Sequence, residues 1–205
     1  MPLPYPLAGV SYAVGGPLAA PSGLTTGAAG TTPMCVSLDN AKPTFAAANV
    51  SVTLYSAAAA VLLEVVGSAT ATVRIRQIKM WIVAATKFYT ELQLLRSTTV
   101  SGTGTANASP TPGKYNKSDS AATAVVNDYA AAATYGSGHL VVGARGIYIG
   151  APAATNYLGE LTWDFTHTQS MVLRGATDIL QVYNTILTLG TATFGYEVVW
   201  EEDNS

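Results

Sequence analysis

Between Val73 and Ser97 the chain reads VRIRQIKMWIVAATKFYTELQLLRS, and this stretch limits the possible folds more than any other. It reads as two long β-strands joined by a short turn, a pair expected to form the spine of a sheet. In the second strand Leu92 and Leu94 alternate with Glu91, Gln93 and the polar end at Arg96. A strand buried on one face requires that period of two. In the first, Val73 and Ile75 point one way and Arg74 and Arg76 the other, but further on Ile78, Met80 and Ile82 carry the apolar set. The phase slips by one near Gln77. A one-residue slip moves side chains to the opposite face. Either a β-bulge or bend lies there, or Trp81, Ile82 and Val83 are covered on both faces.

The remaining strand signals are spread along the chain. Val50, Val52 and Leu54 alternate with Ser51, Thr53 and Tyr55, and VLLEVVG follows at 61–67. Later come HLVVGARGIYIGA at 139–151, with glycine interruptions that predict a bend, and GELTWDF at 159–165, in which Leu161, Trp163 and Phe165 face in and Glu160, Thr162 and Asp164 face out. SMVLRG at 170–175 and DILQVYNTI at 178–186 flank a tight turn at Gly175-Ala176-Thr177. TFGYEVVWEE at 193–202 sets Phe194, Tyr196, Val198 and Trp200 against Glu197 and Glu201. KSDSAATAVVNDYA, at 117–130, predicts a short helix capped by Ser118 or Asp119. The Ser/Thr/Gly/Pro-rich segment 98–116 predicts a long surface loop, a natural contact tip.

Strands this numerous and closely spaced, with almost no helix, predict an all-β fold: an antiparallel β-sandwich, because alternating strands need a second sheet over their apolar face. A jelly roll fits the uneven loops best. An immunoglobulin-like sandwich is second, and the Cys…Trp…Cys pattern of that fold is missing. The domain spans 46–205. Residues 1–45 hold most of the proline and glycine punctuation and no apolar period, so they cannot build a core of their own. Leu3, Tyr5, Leu7, Tyr12 and Leu24 make this segment stickier than a plain linker, and predict an extended arm laid over a neighbour.

Charged residues are only 11% of the 205 and the net charge is -2. A surface so poor in charge tends to associate, which points to contacts with other subunits; a surface of Thr, Ser, Asn and Gly is the alternative. No basic excess marks a nucleic-acid footprint. Cys35 is the only cysteine and can form no internal disulfide. The N-terminus MPLPYPLAGV lacks the basic n-region of a signal peptide, and the most apolar run, Ala57 to Val66, is too short to span a bilayer and is broken by Glu64.

Catalytic signals are sparse. His139 and His167 are the only histidines, and neither has a second ligand at metal spacing. No nucleophile elbow or phosphate loop occurs. Glu160 and Asp164 share a parity and could flank a groove as a carboxylate pair, but they read more simply as a solvated face. Glu201, Glu202 and Asp203 read as a solubilising terminus. No enzyme, metal or cofactor is expected. Tyr115, Tyr129, Tyr135, Tyr148 and Tyr157 sit in or near loops, where tyrosines anchor protein interfaces or stack on sugars. Tyr115 and Tyr157 are the candidates chosen from this set.

From about 73 to 202 the order of segments also resembles tailed-bacteriophage virion proteins of the head-decoration, head-fibre and adaptor jelly-roll type. LQLLRST is followed by a Thr/Gly-rich loop, then PTPGKYNKSDSAA, GELTWDF, VLRGATDILQVYN and EVVWEE. VLRGATDILQVYN resembles a hairpin near the C-terminus of such proteins, with Gly175-Ala176-Thr177-Asp178 where they often carry Pro-Gly-Glu. The resemblance implies a non-enzymatic virion protein, assembled in the host cytoplasm as a homo-oligomer. Its partners would be other copies of itself and other virion proteins such as the major capsid protein, without direct nucleic-acid or membrane contact. The alternative is a carbohydrate- or receptor-binding β-sandwich module that uses loop 98–116 and the rim tyrosines.

Overall fold

A computed structural model describes residues 42–53, 59–84, 87–102, 106–107, 109–149, 157–166, 171–185 and 192–203. The arm candidates Leu3, Tyr5, Leu7, Tyr12 and Leu24 lie outside them, as do Cys35, Leu54, Tyr55 and His167. The described residues form eleven strands: β1 (Thr44–Thr53), β2 (Ala60–Val66), β3 (Thr72–Ala84), β4 (Phe88–Ser97), β5 (Gly113–Lys114), β6 (Val125–Ala133), β7 (Leu140–Ile149), β8 (Tyr157–Asp164), β9 (Met171–Arg174), β10 (Ile179–Asn184) and β11 (Ala192–Asp203). None of the described residues is helical, and no helix among them is long and apolar enough to cross a membrane.

Two antiparallel sheets pack face to face. One runs β5-β1-β11-β3-β8, with β9 also on β3, and the other β6-β2-β10-β4-β7. Without the short β5 and β9 and the edge strand β6, the orders are β1-β11-β3-β8 against β2-β10-β4-β7, the double Greek key of a jelly roll. The inner faces meet in one core containing Trp200, Tyr196, Phe194, Ile75, Ile78, Met80 and Ile82 from one sheet and Leu63, Leu92, Leu94 and Val182 from the other.

The bulge read from the sequence is present in β3. Gln77 pairs with Val199 and Ile75 with Trp200, leaving Arg76 as the extra residue. Val73 and Ile75 are buried before it and Ile78, Met80 and Ile82 after it, while Trp81 and Val83 are only half-buried. The bulge also divides the strand's outer edge: β9 pairs with Thr72–Ile75 and β8 with Gln77–Ala84. β8 and β11 bury the residues their alternation selected, Leu161 and Trp163 in one and Phe194, Tyr196, Val198 and Trp200 in the other.

Other expectations are corrected. β3 and β4 are not partners; each joins a different sheet, so the chain passes from one sheet to the other between them. The helix expected at 117–130 is a turn followed by β6. Asn116 Oδ1 accepts the Ser118 amide at 3.2 Å, so the polar residues that resembled a cap close an Asx-turn, and Val125 and Val126 pair with Val66 and Val65. The strand at 50–53 begins earlier, at Thr44. Phe45, placed with the arm by sequence, is buried and lies 5.8 Å from the Trp200 ring. Loop 98–116 is no free tip in its first part. Thr98 N donates to Ser137 O, Gly102 N to Thr134 O and Ser137 N to Thr99 Oγ1, which folds 98–102 against 134–137 over the outer face of the second sheet. Leu95 and Gln181 on that face are consequently buried. The glycine-interrupted β7 has one irregularity, a bulge at Val142 beside Gly143, between the pairs Leu94–Gly143 and Leu95–Val141.

Candidate interaction surface

β7 ends its sheet and pairs only with β4 among the described residues. Its second half alternates, so Ile147 and Ile149 turn inward and pack on Gly159 of β8, where a Cβ would lie 2.6 Å from Ile147 Cγ2. Its first half has no period. Leu140, Val141 and Val142 are consecutive apolar residues, and strand geometry sends such a run to both faces. Their side chains are 65%, 49% and 39% exposed. Tyr148, 65% exposed, sits opposite Tyr89 in register, and Leu158 on β8 is also exposed. Arg145 is the only charged residue in the ten of β7. An edge strand this long and apolar, with a single charge, is a template for pairing with another chain.

Of the other edges, β6 and β8 are bridged or charged, whereas β1 is paired by the short β5 only at Phe45 and Ala46. β6 is covered by a bridge between Ala106 and Tyr129 and by Asn107 N, which donates to Asp128 O at 2.8 Å. β8 carries Glu160 and Asp164. Glu160 pairs with Lys79 at 2.9 Å and Asp164 accepts the Thr166 amide at 2.8 Å, so each member of the carboxylate pair already has a structural partner.

Three buried carboxylates hold segment 123–129 in place, and none of them is in an ion pair among the described residues. Glu202 on β11 accepts the amides of Thr123 and Ala124 and the Trp200 indole N–H. Burial alone would raise its carboxyl; these donors and the Thr123 hydroxyl outweigh that and hold it below the usual glutamate value. Glu64 on β2 accepts Tyr129 OH at 2.9 Å, Gln181 Nε2 at 2.7 Å and Ser101 N at 2.9 Å. Burial, and then the Glu64 charge, push the Tyr129 hydroxyl up to about 12. Asp128 on β6 accepts Tyr196 OH at 2.7 Å and Asn49 Nδ2 at 3.0 Å from the opposite sheet, as well as Asn107 Nδ2. Burial first, then this bond, raises the Tyr196 hydroxyl. The terminal Glu-Glu-Asp is therefore not a solvated tail: Glu202 is buried, Glu201 pairs with Arg76 at 2.6 Å and Asp203 with Lys42 at 2.8 Å.

The tyrosines singled out from sequence do not converge. Tyr115 is 65% exposed and follows β5, at one edge of the first sheet, whereas Tyr157 begins β8 at the opposite edge. Four strand spacings of about 4.8 Å separate these edges, roughly 19 Å. Tyr129 is buried and bridged by Ala106 instead of lying on a rim. Sequence reasoning missed Leu140, Val141 and Val142 as surface residues; their signal was an apolar run without alternation. Among the described residues no three His, Cys, Asp or Glu side chains gather into a metal-binding group. The surface with distinctive chemistry is thus an apolar sheet edge suited to binding. No protein-family model matches the chain, and no curated protein matches it.

Proposed function

We propose that this protein is a non-enzymatic structural component of a phage virion, a capsid-decoration or head/tail accessory protein that acts by assembling with copies of itself and with other virion proteins such as the major capsid protein. The observation that carries the reading is the uncovered apolar edge of β7, on a chain whose charged fraction is only 11%. Association covers such an edge, and burying apolar surface drives the association. The segment order from LQLLRST to EVVWEE supports the virion context. Residues 1–41 act as an arm that adds interface area, with their ordering entropy offset on binding.

Light scattering behind a sizing column, with electron micrographs of the same peak, tests the reading. A closed oligomer or a larger regular assembly is expected. A monomer at micromolar concentration that also fails to bind purified virion shells would overturn it.

A further inference from the structure

We propose that the outer face of the second sheet, across β10, β4 and β7, binds a neutral oligosaccharide; the site is separate from the edge of β7 and does not depend on the assembly reading. Strand register places its residues. Tyr89 on β4 lies directly opposite Tyr148 on β7, Glu91 opposite Gly146, and Gln93 between Tyr183 of β10 and Ala144 of β7. Their strand neighbours Leu92, Leu94, Ile147, Ile149 and Val182 fill the core, so alternation sends these positions to the outer face. Tyr135 and His139 join them from the connection between β6 and β7. The Tyr135 ring lies 4.2 Å from the imidazole and 5.1 Å from the Tyr183 ring, edge-on to the latter. The face therefore carries two aromatic rows, one at Tyr89 and Tyr148 and one at Tyr183, Tyr135 and His139. Four residues of β4 separate the rows, about 13 Å.

Such a face matches the two surfaces of a sugar. An aromatic ring has a negative face that attracts the C–H face of a pyranose, while the sugar hydroxyls need donors and acceptors at its edges. Tyr89 lies across Gly146, its Cε2 3.7 Å from where a Cβ would stand, so the ring rests on the sheet and turns one face outward. Tyr148 and Tyr135 are exposed. Between the rows, Glu91 accepts the Tyr89 hydroxyl at 2.6 Å and the Thr185 hydroxyl at 3.4 Å, and it has no ion pair among the described residues. Its carboxylate has acceptor sites beyond these two bonds, and the Gln93 amide both donates and accepts. An apolar peptide segment on this face would desolvate Glu91 without giving it donors, whereas sugar hydroxyls supply them. The same carboxylate repels an acidic glycan, which selects a neutral one. The second row is held before binding, because Gly136 N donates to Gln181 Oε1 at 3.2 Å and Ser137 N to Thr99 Oγ1 at 2.7 Å. Preorganised rings lose little entropy when they stack. The separation of the rows suits a short oligosaccharide and exceeds a single ring.

The test uses the full-length chain on a printed array of neutral hexose and N-acetylhexosamine sugars, from monosaccharides to hexasaccharides. The strongest hit is then titrated by calorimetry against single variants. Binding is expected to rise with chain length until both aromatic rows are occupied. Tyr148→Ala and Tyr135→Ala, both at exposed positions, are each expected to weaken it roughly 10-fold, while Tyr148→Phe, which keeps the ring, stays within about 3-fold of the wild type. Urea midpoints check that the variants remain folded. An array without signal, or a hit whose affinity neither alanine variant changes, would overturn the inference. Neither result bears on the assembly reading, which native mass decides.

Discussion

The Tyr196 hydroxyl on β11 donates to Asp128 Oδ2 on β6 at 2.7 Å, joining the middle of one sheet to the edge strand of the other. Both residues are fully buried. Tyr196→Phe removes one donor from a buried carboxylate and is expected to cost about 1.5–3 kcal/mol. Urea unfolding checks it: an unchanged midpoint would show that the bond adds nothing to stability.

Glu64 holds loop 98–102 through the amide and hydroxyl of Ser101 and anchors Gln181 and Tyr129. Glu64→Leu leaves these donors buried and without their acceptor, a change expected to cost about 2–4 kcal/mol in total. The loop should then open ahead of the rest, seen as early protease cleavage near Ser101 while both sheets stay folded. Cleavage that only follows global unfolding would refute the tie.

Acid should weaken the fold through Glu202. Its folded pKa lies below the unfolded value, so the stability it contributes is complete above the ordinary glutamate value of 4.5 and is lost as pH falls through the folded value. Asp203, lowered chiefly by its hydrogen bond from Lys42, shifts in the same sense. Urea midpoints of the wild type should therefore fall below about pH 4.5, and Glu202→Gln should flatten that fall.

Alkali acts through the two buried phenols. Tyr129 and Tyr196 have folded pKa values above the unfolded 10.0, so their contribution is complete below pH 10 and declines as pH rises, toward about 12 for Tyr129. Absorbance at the tyrosinate band should show two phenols ionising late or only with unfolding, and Tyr129→Phe should remove one of them. A single early titration of every tyrosine would refute this.

A Cβ at Gly195 would lie 2.3 Å from Trp81 Cε2, so Gly195→Ala must displace the indole from the outer face of its sheet. Overpacking of this kind costs about 1–3 kcal/mol. Tryptophan emission should shift to longer wavelength as the ring moves toward water; unchanged emission and stability would mean the ring gives way freely.

Strand periodicity was legible where one face is core and the other solvent. The slip at Gln77 was readable because a bulge leaves two in-phase halves, and β8 and β11 because their outward positions are charged or polar. The carboxylates misled the reading. Glu64 sits in an apolar run and Glu202 in an acidic terminus, and the donors that bury them come from Ser101, Thr123 and Ala124, far away in sequence. β6 resembled a helix because alanine favours one locally, and pairing with β2 overrode that preference. β3 and β4 looked like a hairpin because sequence shows adjacent strands and a short turn without showing which sheet each enters.

The strand that organises the first sheet is the last of the eleven to be synthesised. β11 lies between β1 and β3 and makes the longest pairing among the described residues, twelve residues against β3. On the ribosome, the edges of β1 and β3 that face each other must wait unpaired until β11 emerges, so the sandwich closes only after β11 has been made. A message truncated before codon 192 would release a chain able to pair the second sheet but with β1 and β3 left unjoined in the first, a species dependent on chaperones and prone to aggregate.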